Sequence, residues 1–213
     1  MTSSAISAQG SVLAIGTGTG GAKTVTAIAL GYPTILTSAA HGLQNGDVVT
    51  PAGFTGADAA LLNGITFSVR DVTTNTFALK ADTTAKTVTV GAGAVTPVTF
   101  TNVANMKDFS GFDGSASEID VTNLDSTAKE FRLGLTDPGQ FSINIDYDNT
   151  NAGHVALRAK QVSGILSNFK LTLPNTNVIT FTGFVKKFSL AGGVDAVAKT
   201  AVDIRISGAI NGL

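Results

Sequence analysis

The chain has 213 residues, a formal net charge of −1 and only 14% charged residues, below the roughly 25% usual for soluble domains. It has no cysteine, which excludes a disulfide framework and thiolate metal sites. The near-zero charge gives no field to draw nucleic acid or acidic membranes, and no apolar run approaches the roughly 20 residues of a helical membrane span.

In chain order, MTSSAISAQGS lacks the basic and apolar regions of a secretory signal. Ser11–Ile15 reads as a first strand, followed by the glycine-rich GTGTGG of Gly16–Gly21, expected to act as a hinge. A second glycine-rich stretch, GAGAVTP, ends at Pro97. Gly16, Gly18, Gly20 and Gly21 on one side, with Gly91 and Gly93 on the other, are the expected hinges of an inserted segment, 22–97. Short strands are expected there at 24–30, 34–37, 47–50, 66–72, 76–81 and 87–90, separated by turns at Tyr32-Pro33, Asn45-Gly46 and Asn63-Gly64. That spacing makes a small β-barrel or sandwich. The flanking parts, 1–21 and 98–213, form the host, because insertion succeeds at exposed loops whose ends lie close.

The host continues with a strand at 98–105 and a Gly-, Ser- and Asp-rich stretch at 110–136 with weak periodicity. Gln140–Asp148 alternates strictly, with Phe141, Ile143, Ile145 and Tyr147 on one face and Ser142, Asn144, Asp146 and Asp148 on the other. A helix is expected over 151–163, capped by Asn149, Thr150 or Asn151 and stopped by Gly164. Ala152, Val155, Ala156, Ala159 and Val162 form its expected buried stripe. Leu157 then points outward with Arg158 and Lys160, a candidate contact to another subunit. Strands at 169–173, 178–190 and 199–206 close the chain.

Charge is segregated along the host. Residues 108–148 carry nine acidic and two basic side chains, whereas 149–213 carry two acidic and seven basic. Opposed blocks of this kind suit a surface that meets copies of itself.

The search for chemistry excludes more than it finds. His41 lies in a turn and His154 in the first helical turn; neither sits in a nucleophile-elbow context, and local hydrogen bonding or packing is the expected role of both. Two separate histidines make no zinc set, and the aspartates between 108 and 125 lack calcium-loop register. GTGTGG is followed by β-patterned sequence and not by the helix a dinucleotide site requires. The reading is therefore no enzyme, no cofactor and no metal.

The order of parts carries a resemblance. An early strand, FTNVANMKDFSGFDGSASEIDVTNLDS, FRLGLTDPGQFSINIDYD, NAGHVALRAKQVSG and a terminal DIRISGAI together resemble the major tail tube proteins of long, non-contractile, lambda-like phage tails. The segments AAHGLQNGDVV, LLNGITFSV and TTNTFALKA resemble a small β-module often embedded in phage structural proteins. The resemblance implies an all-β fold of two packed antiparallel sheets with one flanking helix, plus the inserted β-domain as an outward decoration. It implies six-membered rings stacked into a virion tail tube, made in a bacterial cytoplasm, with other tail proteins as partners and no membrane. It further implies a bore that passes DNA without binding it.

On that reading Asp113, Glu118, Asp120, Asp125 and Lys129 belong to a ring-stacking loop. Ser142, Asn144 and Asp146 are the candidates for lining the bore, with Thr172, Thr180 and Thr182 as secondary candidates. The alternatives are a related secretion or connector tube, or a carbohydrate-binding adhesion sandwich, which the absence of tryptophan disfavours.

Overall fold

A computed structural model describes residues 5–212. The strands in chain order are β1 (Val12–Thr19), β2 (Lys23–Thr24), β3 (Ala27–Ala29), β4 (Thr34–Thr37), β5 (Val48–Ala52), β6 (Phe67–Arg70), β7 (Thr76–Leu79) and β8 (Ala94–Val103). There follow β9 (Met106–Gly111), β10 (Ser115–Asp120), β11 (Phe131–Asp137), β12 (Gln140–Asp146), helix α1 (Ala152–Ser163), β13 (Ser167–Thr172), β14 (Val178–Ala191) and β15 (Lys199–Ile206). The fold is β throughout, with that one helix. The chain divides into two compact units: one runs up to Asn102 and includes Asn168–Thr180 and the end from Asn211, and the other holds Val103–Ser167 and Phe181–Ile210.

In the first unit the strand order is β3-β4-β7-β6-β5-β8-β1-β13. The segment from Lys23 to Ala29 pairs first with β8, through Lys23 and Val95, and then with β4, through Ala27 and Thr37. One segment thus touches both ends of the path β8-β5-β6-β7-β4. Within that path lies an apolar cluster that includes Val25, Leu36, Val49, Phe54, Leu62, Phe77, Leu79 and Val95. His41 is buried beside it, edge-on to Phe77 at 5.0 Å, and its Nδ1 accepts the Leu43 amide at 3.0 Å. That is the local bonding the turn sequence suggests.

Two expectations need correction here. The glycines of GTGTGG are not all hinge, since β1 runs on through Thr19 and takes in Gly16 and Gly18. A Cβ at Gly16 would lie 3.0 Å from Val98 and 3.3 Å from the Asn168 carbonyl oxygen, so glycine here serves close strand packing. Only Gly20 and Gly21 lie outside the strands, and there the Gly20 amide still donates across to the Pro97 carbonyl at 2.7 Å. Gly91 (φ +55°) and Gly93 lie in the turn before β8. The expected strand at 87–90 is reduced to a single bridge, Thr55 to Thr89.

In the second unit β14, β15, β12 and β9 form one ladder in that order. The registers run from Gln140 opposite Arg205 to Asp146 opposite Lys199, and from Phe141 opposite Gly111 to Ile145 opposite Met106. Phe141, Ile143 and Ile145 are buried, together with Val202, Ile204 and Ile206 of β15, as the period-two pattern requires. Helix α1 has the expected caps: the Asn151 side chain accepts the His154 amide, and Gly164 takes the left-handed conformation at φ +63°.

The helix faces the other way from the expected stripe. Gly153, His154 and Leu157 are its buried residues, whereas Val155 and Val162 are 54% and 72% exposed. Leu157, expected as a subunit contact, is fully buried. The physical cause is His154. Its Nδ1 accepts the Asp148 amide at 3.0 Å, and its Nε2 donates to the Ala104 carbonyl at 2.8 Å. Two backbone partners fix the ring inward and bring Leu157, one turn on, with it.

The stretch at 110–136 is mostly regular structure and not a loop. It holds the end of β9 and the hairpin β10–β11, which pairs only with itself.

Candidate assembly surfaces

The β10–β11 hairpin grows from the end of the second unit's ladder where β9 stops and β12 starts. Its root is tied down. The Asp113 carboxylate accepts the Gln140 amide at 3.1 Å, and Asp137 accepts the Gly139 amide at 2.9 Å and pairs with Arg205. The Gly139 amide, then the Arg205 guanidinium, hold the Asp137 carboxyl below its ordinary value of 3.8. Towards the tip, the Thr122 hydroxyl and amide lower Asp120 in the same way, and Lys129 stands 3.8 Å from that carboxylate.

Register places Glu118 opposite Leu133 and Asp120 opposite Phe131. Cross-strand partners share a face, so one face carries Phe131 and Leu133 edged by two carboxylates, and the register shift between Ala116 and Glu118 takes Leu135 out of that row. These three apolar side chains are 53%, 76% and 91% exposed, and Leu124 at the tip is fully so. A two-stranded hairpin with no covering layer is marginal alone, and an apolar face of this kind marks a docking surface. The sequence reading identified the acids Asp113, Glu118, Asp120 and Asp125 of this region but missed the apolar row. The signal was the close run of Phe131, Leu133 and Leu135, interrupted by Gly134 where the register shifts.

A second surface is the polar face of β12. The Ser142 hydroxyl donates to Asp203 at 2.8 Å, the Asn144 amide to Asp108 at 2.7 Å, and Lys107 pairs with Asp146 at 3.0 Å. Lys187 sits 4.0 Å from Asp203. Ser142, Asn144 and Asp146 are thus brought together on one face whose lysines 107 and 187 are each matched by a carboxylate. Thr180, expected with them, is buried, because its strand turns that side chain inward; Thr172 and Thr182 are half-buried.

On α1, Arg158 is exposed, with its guanidinium 5.8 Å from the Phe188 ring and bonded to Gln161 at 2.9 Å. Lys160 is half-buried near the helix C-terminus, where its charge suits the dipole.

A family model described as phage tail tube, TTP, lambda-like matches residues 73–173. Over that span, just under half of the chain, the sequence is similar to the lambda-like tail tube family. The matched span contains the hairpin, β12 and α1. A comparison with curated proteins finds no match.

Among solved structures the chain is similar to one from the tail of an empty gene transfer agent particle, refined helically with C6 symmetry. That match has 18% identity and a TM-score of 0.46 and covers 54% of this chain and 86% of the other. It is also similar to a chain from the virion of a native gene transfer agent particle, at 17% identity and TM-score 0.45, covering 52% and 86%.

Proposed function

We propose that the chain assembles into rings of six that stack into a tube, and that the tube conducts DNA on ejection. The observation that carries this reading is incompleteness. The second unit's ladder ends on β9, whose outer margin has no strand partner among the described residues, and the hairpin beside it leaves its apolar face uncovered. Open β-margins are templates for pairing. Ring closure satisfies them, and head-to-tail contact extends a filament. The number six rests on the family resemblance.

Ser142, Asn144 and Asp146 are the proposed bore lining. Their face carries acids and amides; Lys107 and Lys187 are matched by carboxylates and Lys199 stands opposite Asp146, so passing phosphates meet few free cations and release few counterions. Segment 22–97 is proposed as an insertion on the outside of the tube, a role supported by its separate apolar cluster and adjacent ends. Arg158 and Lys160 remain proposed subunit contacts.

Electron microscopy of the purified full chain tests the reading. Rings with a central hole, or tubes, are expected, and class averages give the symmetry. A monodisperse monomer at high concentration, or closed particles without a bore, overturns it.

A further inference from the structure

The second unit's ladder has two unlike ends. At one end β9 gives way to β10, and there an apolar cleft of about 440 Å³ opens at the hairpin root, lined by Phe112, Thr136, Pro138 and Ile210 among others. At the other end β14 turns into β15 after Ala191 pairs with Lys199. That turn reads AGGVDAVAK and is exposed. Its Leu190, Val194 and Val197 are 61%, 95% and 60% exposed. β12 separates the two ends: Gln140 lies at the cleft end and Asp146 at the turn end. Seven strand residues span about 20 Å, so the turn cannot reach the cleft of its own chain.

Knob and cleft are complementary in chemistry. The turn offers a valine on a glycine pair, and the cleft offers aromatic, prolyl and aliphatic walls. Charge agrees. Residues 113–137 around the cleft and hairpin carry six acids and two bases, whereas 186–199 carry three lysines and one aspartate. A knob at one end that fits a hollow at the other is a heterologous contact, and such contacts propagate without closing.

The geometry points to a second copy of this chain as the occupant of the cleft: the β14–β15 turn of one copy, led by Val194, seats against Phe112, Pro138 and Ile210 at the hairpin root of the next. The inference rests on the tube reading and names the receiving site.

The absence of cysteine allows a clean test. Thr136→Cys and Val194→Cys are combined in the full chain, assembled, and treated with a short bis-maleimide. A covalent ladder extending beyond dimers on a denaturing gel is expected, with each single-cysteine chain giving dimers at most. Visible tubes without a ladder overturn the docking inference and leave the tube reading standing. Failure of the unsubstituted chain to form rings or tubes overturns both.

Val194→Asp supplies a second reading that does not depend on cross-linking. The side chain is 95% exposed in the single chain, so the thermal midpoint should not move. A carboxylate driven into an apolar cleft should cut tube yield at least about tenfold, the equivalent of 1.4 kcal/mol per contact. Unchanged tube length and yield would overturn the inference.

Discussion

Leu157 and Val162 lie five positions apart on α1 and meet opposite environments. Leu157 is fully buried, while Val162 is 72% exposed. Replacing a buried leucine by alanine removes its transfer energy and leaves a cavity, at about 2–5 kcal/mol. A surface substitution away from special features stays within about 0.5 kcal/mol. Denaturant titration of Leu157→Ala and Val162→Ala should therefore show a large loss for the first and almost none for the second. The reverse result would restore the valine stripe as the core face.

Asp137 provides a prediction in pH. Its folded value is depressed, first by the Gly139 amide and then by Arg205. A carboxylate of this kind contributes its stabilisation above the unfolded value near 3.8 and loses it as pH falls through the lower folded value. The amide resonance of Gly139 should titrate with a midpoint below 3.8, and Asp137→Asn should abolish that titration. A midpoint above the ordinary carboxylate value would contradict the hairpin-root geometry.

At the level of elements, legibility tracked how local the cause is. β12 was readable because Phe141, Ile143 and Ile145 alternate with polar partners, and one buried face fixes a period of two. The ends of α1 were readable because Asn151 and Gly164 act within a single turn. The buried face of α1 was not, because it depends on a carbonyl at Ala104, 50 residues from His154.

The hairpin was hidden for another reason. Phe131, Leu133 and Leu135 are apolar side chains that nothing in the described chain covers, so a reading that seeks the chain's own core passes over them. GTGTGG misled similarly, since glycine in a strand and glycine in a hinge look alike until the neighbours at 3.0 Å are known.

The hairpin carries the element-scale prediction. Glu118 edges the apolar face and is exposed within the chain. Glu118→Lys should leave the melting temperature nearly unchanged while reducing sedimentable tubes several-fold, since charge at a contact steers register more than fold. Equal loss of both would make this hairpin part of the core.

For the molecule as a whole, the decisive question is whether 22–97 is an insertion. Its apolar cluster runs from Val25 to Val95 and needs no residue outside those bounds. Its ends meet, with the Gly20 amide on the Pro97 carbonyl at 2.7 Å and Lys23 paired to Val95. The same unit also holds links from the segment to the rest of the chain. Lys170 lies 3.4 Å from Asp47, and Gly46 packs against Val178.

Excising the segment therefore frees one partly exposed ion pair, worth about 0–1 kcal/mol, and uncovers Val178. Lys170 keeps its place 4.8 Å from the Phe100 ring. Those losses are small beside a typical total stability of about 5–15 kcal/mol. A chain joining Gly21 to Val98 through a short Gly/Ser bridge should therefore fold, melt a few degrees lower, and still form tubes with a thinner outer layer in micrographs. A deleted chain that does not fold would show that the first unit needs this segment for its own core. One that folds but stays monomeric would move the segment from the outside of the tube into its subunit contacts.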